Sequence, residues 1–124
     1  MGSIIYLSHG GGPLPLLGDP SHDAMVSFMK NLSSKIEKPE AVIVISAHWE
    51  EEVPSIIGGK NTSLFYDYYG FPKDAYDLNY PVSGDPELVK KIGKLFTKRD
   101  MKVKVDFERG FDHGCFIPMM LMYP

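Results

Sequence analysis

Four histidines, His9, His22, His48 and His113, give this chain most of its chemical reach at neutral pH. Two of them share a context. Ile4-Ile5-Tyr6-Leu7-Ser8 runs into His9 and then Gly10-Gly11-Gly12, and Ala41 to Ser46 runs into Ala47-His48-Trp49. An imidazole at the end of each of two apolar runs makes a ligand pair suited to Fe, Zn, Cu or Ni. Shared ligation at ~2.1 Å would bring the two rings within about 5 Å of each other. The glycines after His9 let backbone approach a ligand and leave that space free of side chains. Read alone, His9 also fits a strand end before a glycine turn.

Asp112-His113-Gly114 supplies a third histidine with an adjacent carboxylate, an arrangement suited to proton transfer and equally to an ordinary turn. His22 falls in the first turn of an expected helix, where a cation opposes the dipole, so it reads as a surface residue. Glu50, Glu51 and Glu52 follow His48 as a carboxylate source or a solvated acidic turn. Trp49, Tyr66, Tyr68, Tyr69 and Phe71 suit the walls of a pocket for a flat aromatic ring, or a core. Cys115 beside His113 raises a nucleophile reading that no local feature supports. The glycines do not form a Gly-x-Gly-x-x-Gly or P-loop pattern, and there is no Gly-x-Ser-x-Gly elbow.

The elements that must place these residues follow from periodicity. Ser3–Ser8 reads as a buried strand and 10–18 as a loop. Asp19-Pro20 signals a helix start, with Met25, Phe28, Met29, Leu32 and Ile36 on one face and an end at Lys38-Pro39. Glu40–Ala47 reads as a second strand covered on both faces. The three make a βαβ unit with parallel strands, and open α/β sheets bind ligands beyond their strand C-termini, where His9 and His48 fall. Pro54–Gly58 suggests a third strand, 63–72 an aromatic loop, and Lys73–Asn79 a helical turn. Asp85-Pro86 repeats the helix-start pattern, with Leu88, Ile92, Leu95 and Phe96 inward to about Arg99. Lys90, Lys91, Lys94 and Lys98 lie on its solvated side. Met101–Phe107 alternates as a strand, Val103 and Val105 inward, Lys102 and Lys104 outward. Gly110–Gly114 reads as a turn before a final helix.

The whole-chain properties bound the function. The 124 residues are 44% apolar and 23% charged, as in one soluble globular domain. A net charge of −3 offers little for nucleic acid. A single cysteine excludes an internal disulfide and points to a reducing cytoplasm. No run approaches the ~20 apolar residues of a membrane span, and no signal peptide is expected. The apolar run from Phe116 to Pro124 reads as a chain interrupted rather than finished.

Six ordered motifs combine these residues: Ser8-His9-Gly10-Gly11-Gly12-Pro13, Ser46-Ala47-His48-Trp49-Glu50, Tyr69-Gly70-Phe71-Pro72, Tyr80-Pro81-Val82-Ser83-Gly84-Asp85-Pro86, Gly110-Phe111-Asp112-His113-Gly114 and Leu121-Met122-Tyr123-Pro124. Together they resemble the class III extradiol ring-cleavage dioxygenases, in the DOPA 4,5-dioxygenase-like branch of the LigB superfamily. The resemblance implies an αβα sandwich around a mostly parallel or mixed sheet, of which this chain is the N-terminal part, residues 1–124. It implies non-haem Fe(II), with Zn(II) as another occupant, held by His9 and His48. It places His113 in acid–base or substrate contact, and Gly11, Trp49, Tyr69, Phe71 and Asp112 around a catechol-type substrate opened with O2. The family's other metal ligand and a further active-site histidine have no counterpart here, so the chain is expected to be incomplete and inactive alone unless self-association or a second polypeptide completes the fold. A non-catalytic binding or assembly protein of the same fold and a zinc hydrolase are the alternatives.

Overall fold

Asp85-Pro86 opens a helix as its composition predicts. The Asp85 carboxylate accepts hydrogen bonds from the amides of Glu87 (3.1 Å) and Leu88 (2.9 Å), satisfying donors that have no intrahelical partner. The structure, a computed structural model, describes residues 2–124. Its regular elements are the helices α1 (Asp23–Lys35), α2 (Pro86–Thr97) and α3 (His113–Met122) and the strands β1 (Ser55–Ile57) and β2 (Lys104–Asp106). The architecture is mixed α/β. No helix among the described residues is long and apolar enough to cross a membrane.

The core is the contact between α1 and α3. Met29 from α1 meets Phe116, Ile117, Leu121 and Met122 from α3, all 5% exposed or less. Met25, Leu32 and Ile36 extend this face as the spacing predicts and Val26 joins them, but Phe28 points outward at 58% exposure. The run from Phe116 onward, which reads as interrupted in sequence, belongs to the most buried helix of the structure. A helix apolar on every side has to be covered, and the Tyr66, Tyr68 and Leu64 side chains help α1 do so.

β1 and β2 pair in parallel, Ser55 opposite Lys104 and Ile57 opposite Asp106. Parallel strands need a long crossover, and α2 lies within it. The third expected strand and the strand around Lys104 therefore exist, shortened. Val105 is 37% and Leu95 62% exposed, so neither takes its expected inward place. The helical turn after Pro72 is a 3-10 turn, Lys73–Tyr76. Gly110–Gly114 is not a free turn: Asp112 caps α3 and His113 is the first residue of that helix.

The largest correction concerns 3–8 and 40–47. Neither joins a strand ladder, and the βαβ unit expected over the first forty-odd residues is absent. β1 and β2 pair only with each other, which leaves both runs without a neighbour to accept their backbone groups. Ile4, Tyr6 and Ile45 are at least 94% exposed in consequence. Asp19-Pro20 also departs from expectation. It starts a 3-10 turn, Pro20–His22, α1 begins only at Asp23, and α1 ends at Lys35 rather than at Lys38-Pro39. The Asp19 side chain caps no amide, because its carboxylate is engaged by Ser21 and His22.

Candidate metal centre

His9, His48 and His113 come from three distant stretches and converge. The Nε2 atoms of His9 and His48 are 2.7 Å apart, inside the separation expected of co-ligands. Ring centroids lie 4.6 Å apart for His9 and His48, 4.8 Å for His9 and His113, and 4.1 Å for His48 and His113. One nitrogen from each falls within 4.8 Å of the others. Burial, followed by the two neighbouring imidazoles, pushes the His9 pKa down. Neutral imidazoles are the form that ligates a metal. Nε2 atoms this close are bridged by a ring proton or by a cation, and with a third imidazole nitrogen within 4.8 Å the donor set is one that fits an ion. Nitrogens sharing one ion at ~2.1 Å sit about 3–3.5 Å apart, a small separation from the present geometry.

His113 is aimed by a carboxylate that the sequence does not single out. Ser63–Phe65 runs beside Phe111 through a parallel bridge, with the Phe65 amide donating to the Phe111 carbonyl at 2.7 Å. Two to three residues onward, this register sets Asp67 against His113. Asp67 Oδ1 accepts from the His113 amide at 2.9 Å and lies 2.8 Å from its Nδ1. Burial pushes the Asp67 carboxyl up, but the His113 hydrogen bonds outweigh it and hold the group below its usual range. The ionised carboxylate only accepts, so Nδ1 of His113 donates to it, and the neutral ring then carries its lone pair on Nε2. Asp67→Ala is expected to cost about 2–3 kcal/mol. It should also release the tautomer, visible as a mixed Nδ1–H/Nε2–H population for His113 in long-range proton–nitrogen spectra.

His48 is held through its backbone. Its amide donates to the Ser46 hydroxyl oxygen at 3.2 Å, and that hydroxyl donates to Asp112 Oδ1 at 2.6 Å. The same carboxylate accepts from the Cys115 amide (3.2 Å) and from Arg109 (3.3 Å). Arg109 lies over the Trp49 ring, 4.7 Å from its centroid, and over Phe65 at 5.2 Å, within cation–π range. Asp112, only 3% exposed, thus ties the His48 turn to the start of α3. The approach is close enough that a Cβ on Gly114 would stand 2.6 Å from Ser46 Oγ and 2.8 Å from His48 Cδ2.

The remaining candidates scatter. Phe71 packs 5.5 Å from Tyr68, whose ring lies 5.9 Å from that of His113. Tyr69 is 92% exposed. Gly11 donates its amide to His22. Trp49 Nε1 donates to Glu51 at 3.0 Å, so that glutamate is engaged away from the imidazoles. Burial and then Asp112 push the Cys115 thiol up to about 12, the opposite of an activated nucleophile. His22, expected on the surface, has a side chain only 16% exposed. Sequence reasoning missed Asp67, Ser46 and Arg109, each of which acts through a partner. The Asp of Tyr66-Asp67-Tyr68, one polar residue inside an aromatic run, was the available sign.

Residues 2–124 match the family model described as LigB, the catalytic LigB subunit of aromatic ring-opening dioxygenase. Among curated relatives, the dioxygenase tasH of Hapsidospora irregularis is 45% identical over 129 residues, covering 98% of this chain and 40% of the relative. A 4,5-DOPA dioxygenase extradiol of Beta vulgaris is 40% identical, covering 96% and 44%, and one of Escherichia coli is 31% identical, covering 97% and 42%. The chain spans less than half the length of these relatives.

Proposed function

We propose, for a chain that belongs to the LigB family of aromatic ring-opening dioxygenases, that the three-histidine cluster is the metal-binding and proton-transfer part of an extradiol ring-cleavage centre. The convergence of His9, His48 and His113 carries this reading. His9 and His48 would hold the ion, Fe(II) for activity and Zn(II) as an alternative occupant of the same donors. Bound there, Fe(II) supplies the redox chemistry by which O2 reacts with a catechol. The relatives named for DOPA favour a catechol-type substrate of that kind.

The chain's own residues divide the remaining work. His113 presents its Nε2 lone pair to a substrate hydroxyl, takes that proton and returns it, while Asp67 steadies the imidazolium formed. Tyr68 serves as wall rather than proton carrier. Burial, followed by Tyr66 and Tyr76, pushes its hydroxyl up to about 12, and that hydroxyl donates to the Ala75 carbonyl. Phe71 and Trp49 offer apolar contact to a flat ring, and Gly11 leaves it room. Tyr69 stands at the exposed rim, and Asp112 acts by fixing the start of α3.

The reading extends to the fold and its surroundings. In an αβα sandwich the bare runs at 3–8 and 40–47 gain strand partners from further polypeptide, a second copy or another chain. Their exposed Ile4, Tyr6, Ile43 and Ile45 and the greater length of the relatives support this. The lone, half-buried Cys115 thiol suits the cytoplasm. Loaded with Fe(II), the chain is expected to bind one ion, and once further polypeptide or a second copy completes the fold, to convert a catechol in air to a yellow ring-opened product with matching O2 uptake. Stoichiometric metal binding without catechol loss would instead identify a binding member of the family.

A further inference from the structure

Of the three imidazoles at the centre, only His113 has its ring held by a residue outside the cluster, while His9 and His48 meet each other through Nε2 at 2.7 Å. His113 is fixed by Asp67 and the His48 backbone by Ser46, but His9 Nδ1 is buried with no hydrogen-bond partner among the described residues. The run before it joins no ladder. Besides its contact with His48 Nε2, the packing of Leu7 on the core and the Gly10 amide donating to the Ser8 hydroxyl, the orientation of His9 depends on the Gly10-Gly11-Gly12 loop on its C-terminal side.

That loop is gripped by His22. The Gly11 amide donates to His22 Nε2 at 3.0 Å. An amide can only donate, so Nε2 is the acceptor and the neutral ring carries its proton on Nδ1. Nδ1 lies 2.6 Å from Asp19 Oδ2 and donates to it. Ser21 donates to the same carboxylate. Hydrogen bonds from Ser21 and His22 hold the Asp19 carboxyl below its usual range, so it stays an acceptor. The ring also fills the concave side of the loop. Gly10 has φ +76°, and a Cβ there would stand 2.6 Å from His22 Cδ2 and 2.9 Å from both His22 Nε2 and Pro15 Cγ. His22 ends the 3-10 turn that leads into α1, and α1 packs on α3, the helix that begins with His113.

We infer that Asp19 and His22 are a positioning pair, which locks the glycine loop onto α1 and thereby aims His9 at the ion shared with His48. This rests on the proposed metal centre. Its physical content is narrower: the pair restrains Gly10 and Gly11 of the glycine loop, beside the one ligand whose Nδ1 is buried without a hydrogen-bond partner among the described residues.

The test uses the full 124-residue chain and three variants, His22→Ala, Asp19→Ala and Asp19→Asn. Zn(II) affinity is measured by competition with a chromophoric chelator, and histidine ring proton–nitrogen spectra are recorded without metal. His22→Ala and Asp19→Ala are expected to weaken Zn(II) binding about 10–100-fold, the usual loss for a residue that orients a ligand. Both should move the His9 ring resonances and leave those of His113, held by Asp67, in place. Asp19→Asn keeps an oxygen that accepts from His22 Nδ1 and should bind Zn(II) like the parent chain. Should His22→Ala fail to fold, the contrast between the two Asp19 variants decides. Unchanged affinity with unmoved His9 resonances overturns the proposal. So does an equal disturbance of all three ring systems, which would make the pair a general fold contact. If the parent chain binds no Zn(II), the metal-centre reading fails, while the His9 resonances still report on positioning.

Discussion

Zn(II) binding is expected to fall by more than about 100-fold when His9 is replaced by alanine, because losing even an orienting partner costs about 10–100-fold and His9 would be a ligand itself. His48→Ala should match it, since the two Nε2 atoms meet at 2.7 Å and neither can serve the ion alone. His113 provides the contrast. Alanine there would leave Asp67 buried beside an empty space, so His113→Asn is the better variant: its amide nitrogen can still donate to Asp67 while the Nε2 lone pair is gone. As a proton carrier, His113 should be dispensable for binding, with Zn(II) affinity lowered no more than about tenfold, and indispensable for ring opening. Calorimetric titration of the three variants, with circular dichroism to confirm helix content, separates the roles. Equal loss in all three would mean that the imidazoles ligate together and that the proton moves through another group.

The site is legible in the sequence for a reason that differs from the one expected. His9 and His48 pair in the sequence because two apolar runs read as parallel strands ending side by side. The rings do meet, yet the runs pair with nothing. What joins them is a set of side-chain tethers: Ser46 to Asp112, Asp67 to His113, and His22 to the glycine loop. Tethers of this kind leave little local trace. Asp67 and His113 are 46 positions apart and Ser46 and Asp112 are 66 apart, so no window of sequence contains both members.

Local grammar is reliable only where the competing partner is weak. Asp85-Pro86 and Asp19-Pro20 are the same dipeptide, and Asp85 caps α2 as predicted. Asp19 does not cap, because an imidazole three residues on offers its carboxylate a stronger donor than a helix amide. Periodicity likewise identifies the apolar faces without knowing what will cover them. Met29 finds α3 and is buried, whereas Phe28 and Leu95 find nothing and face solvent. The stretch from Phe116 to Met122 shows the converse. Apolar without a period, it resists assignment to a face because, as α3, it is buried over most of its surface and half-buried at Met119 and Met120.

That enclosure makes Phe116→Ala the substitution with the largest expected effect on stability. Phe116 is fully buried, with Tyr66 and Tyr68 ring centroids 6.3 and 6.4 Å away and Met29 in the same cluster. Truncation removes the transfer free energy of the ring and leaves a cavity that α1 cannot close, a loss of about 3–5 kcal/mol. Domains are commonly stable by only about 5–15 kcal/mol, so much of the margin would go. At a slope of about 1.5 kcal/mol per molar urea, the midpoint should drop by about 2–3 M, followed by Trp49 fluorescence. Phe116→Leu, which keeps most of the volume, should lose no more than about 1.5 kcal/mol. The consequence for function comes from position. His113 begins the helix that Phe116 anchors, and Tyr68 touches both rings, so α3 loosened at Phe116 no longer holds its first turn against His9 and His48. Zn(II) affinity in Phe116→Ala should therefore fall with stability and be regained in Phe116→Leu. Weak Zn(II) binding in a Phe116→Leu chain of near-parent stability would show that the centre does not depend on this packing.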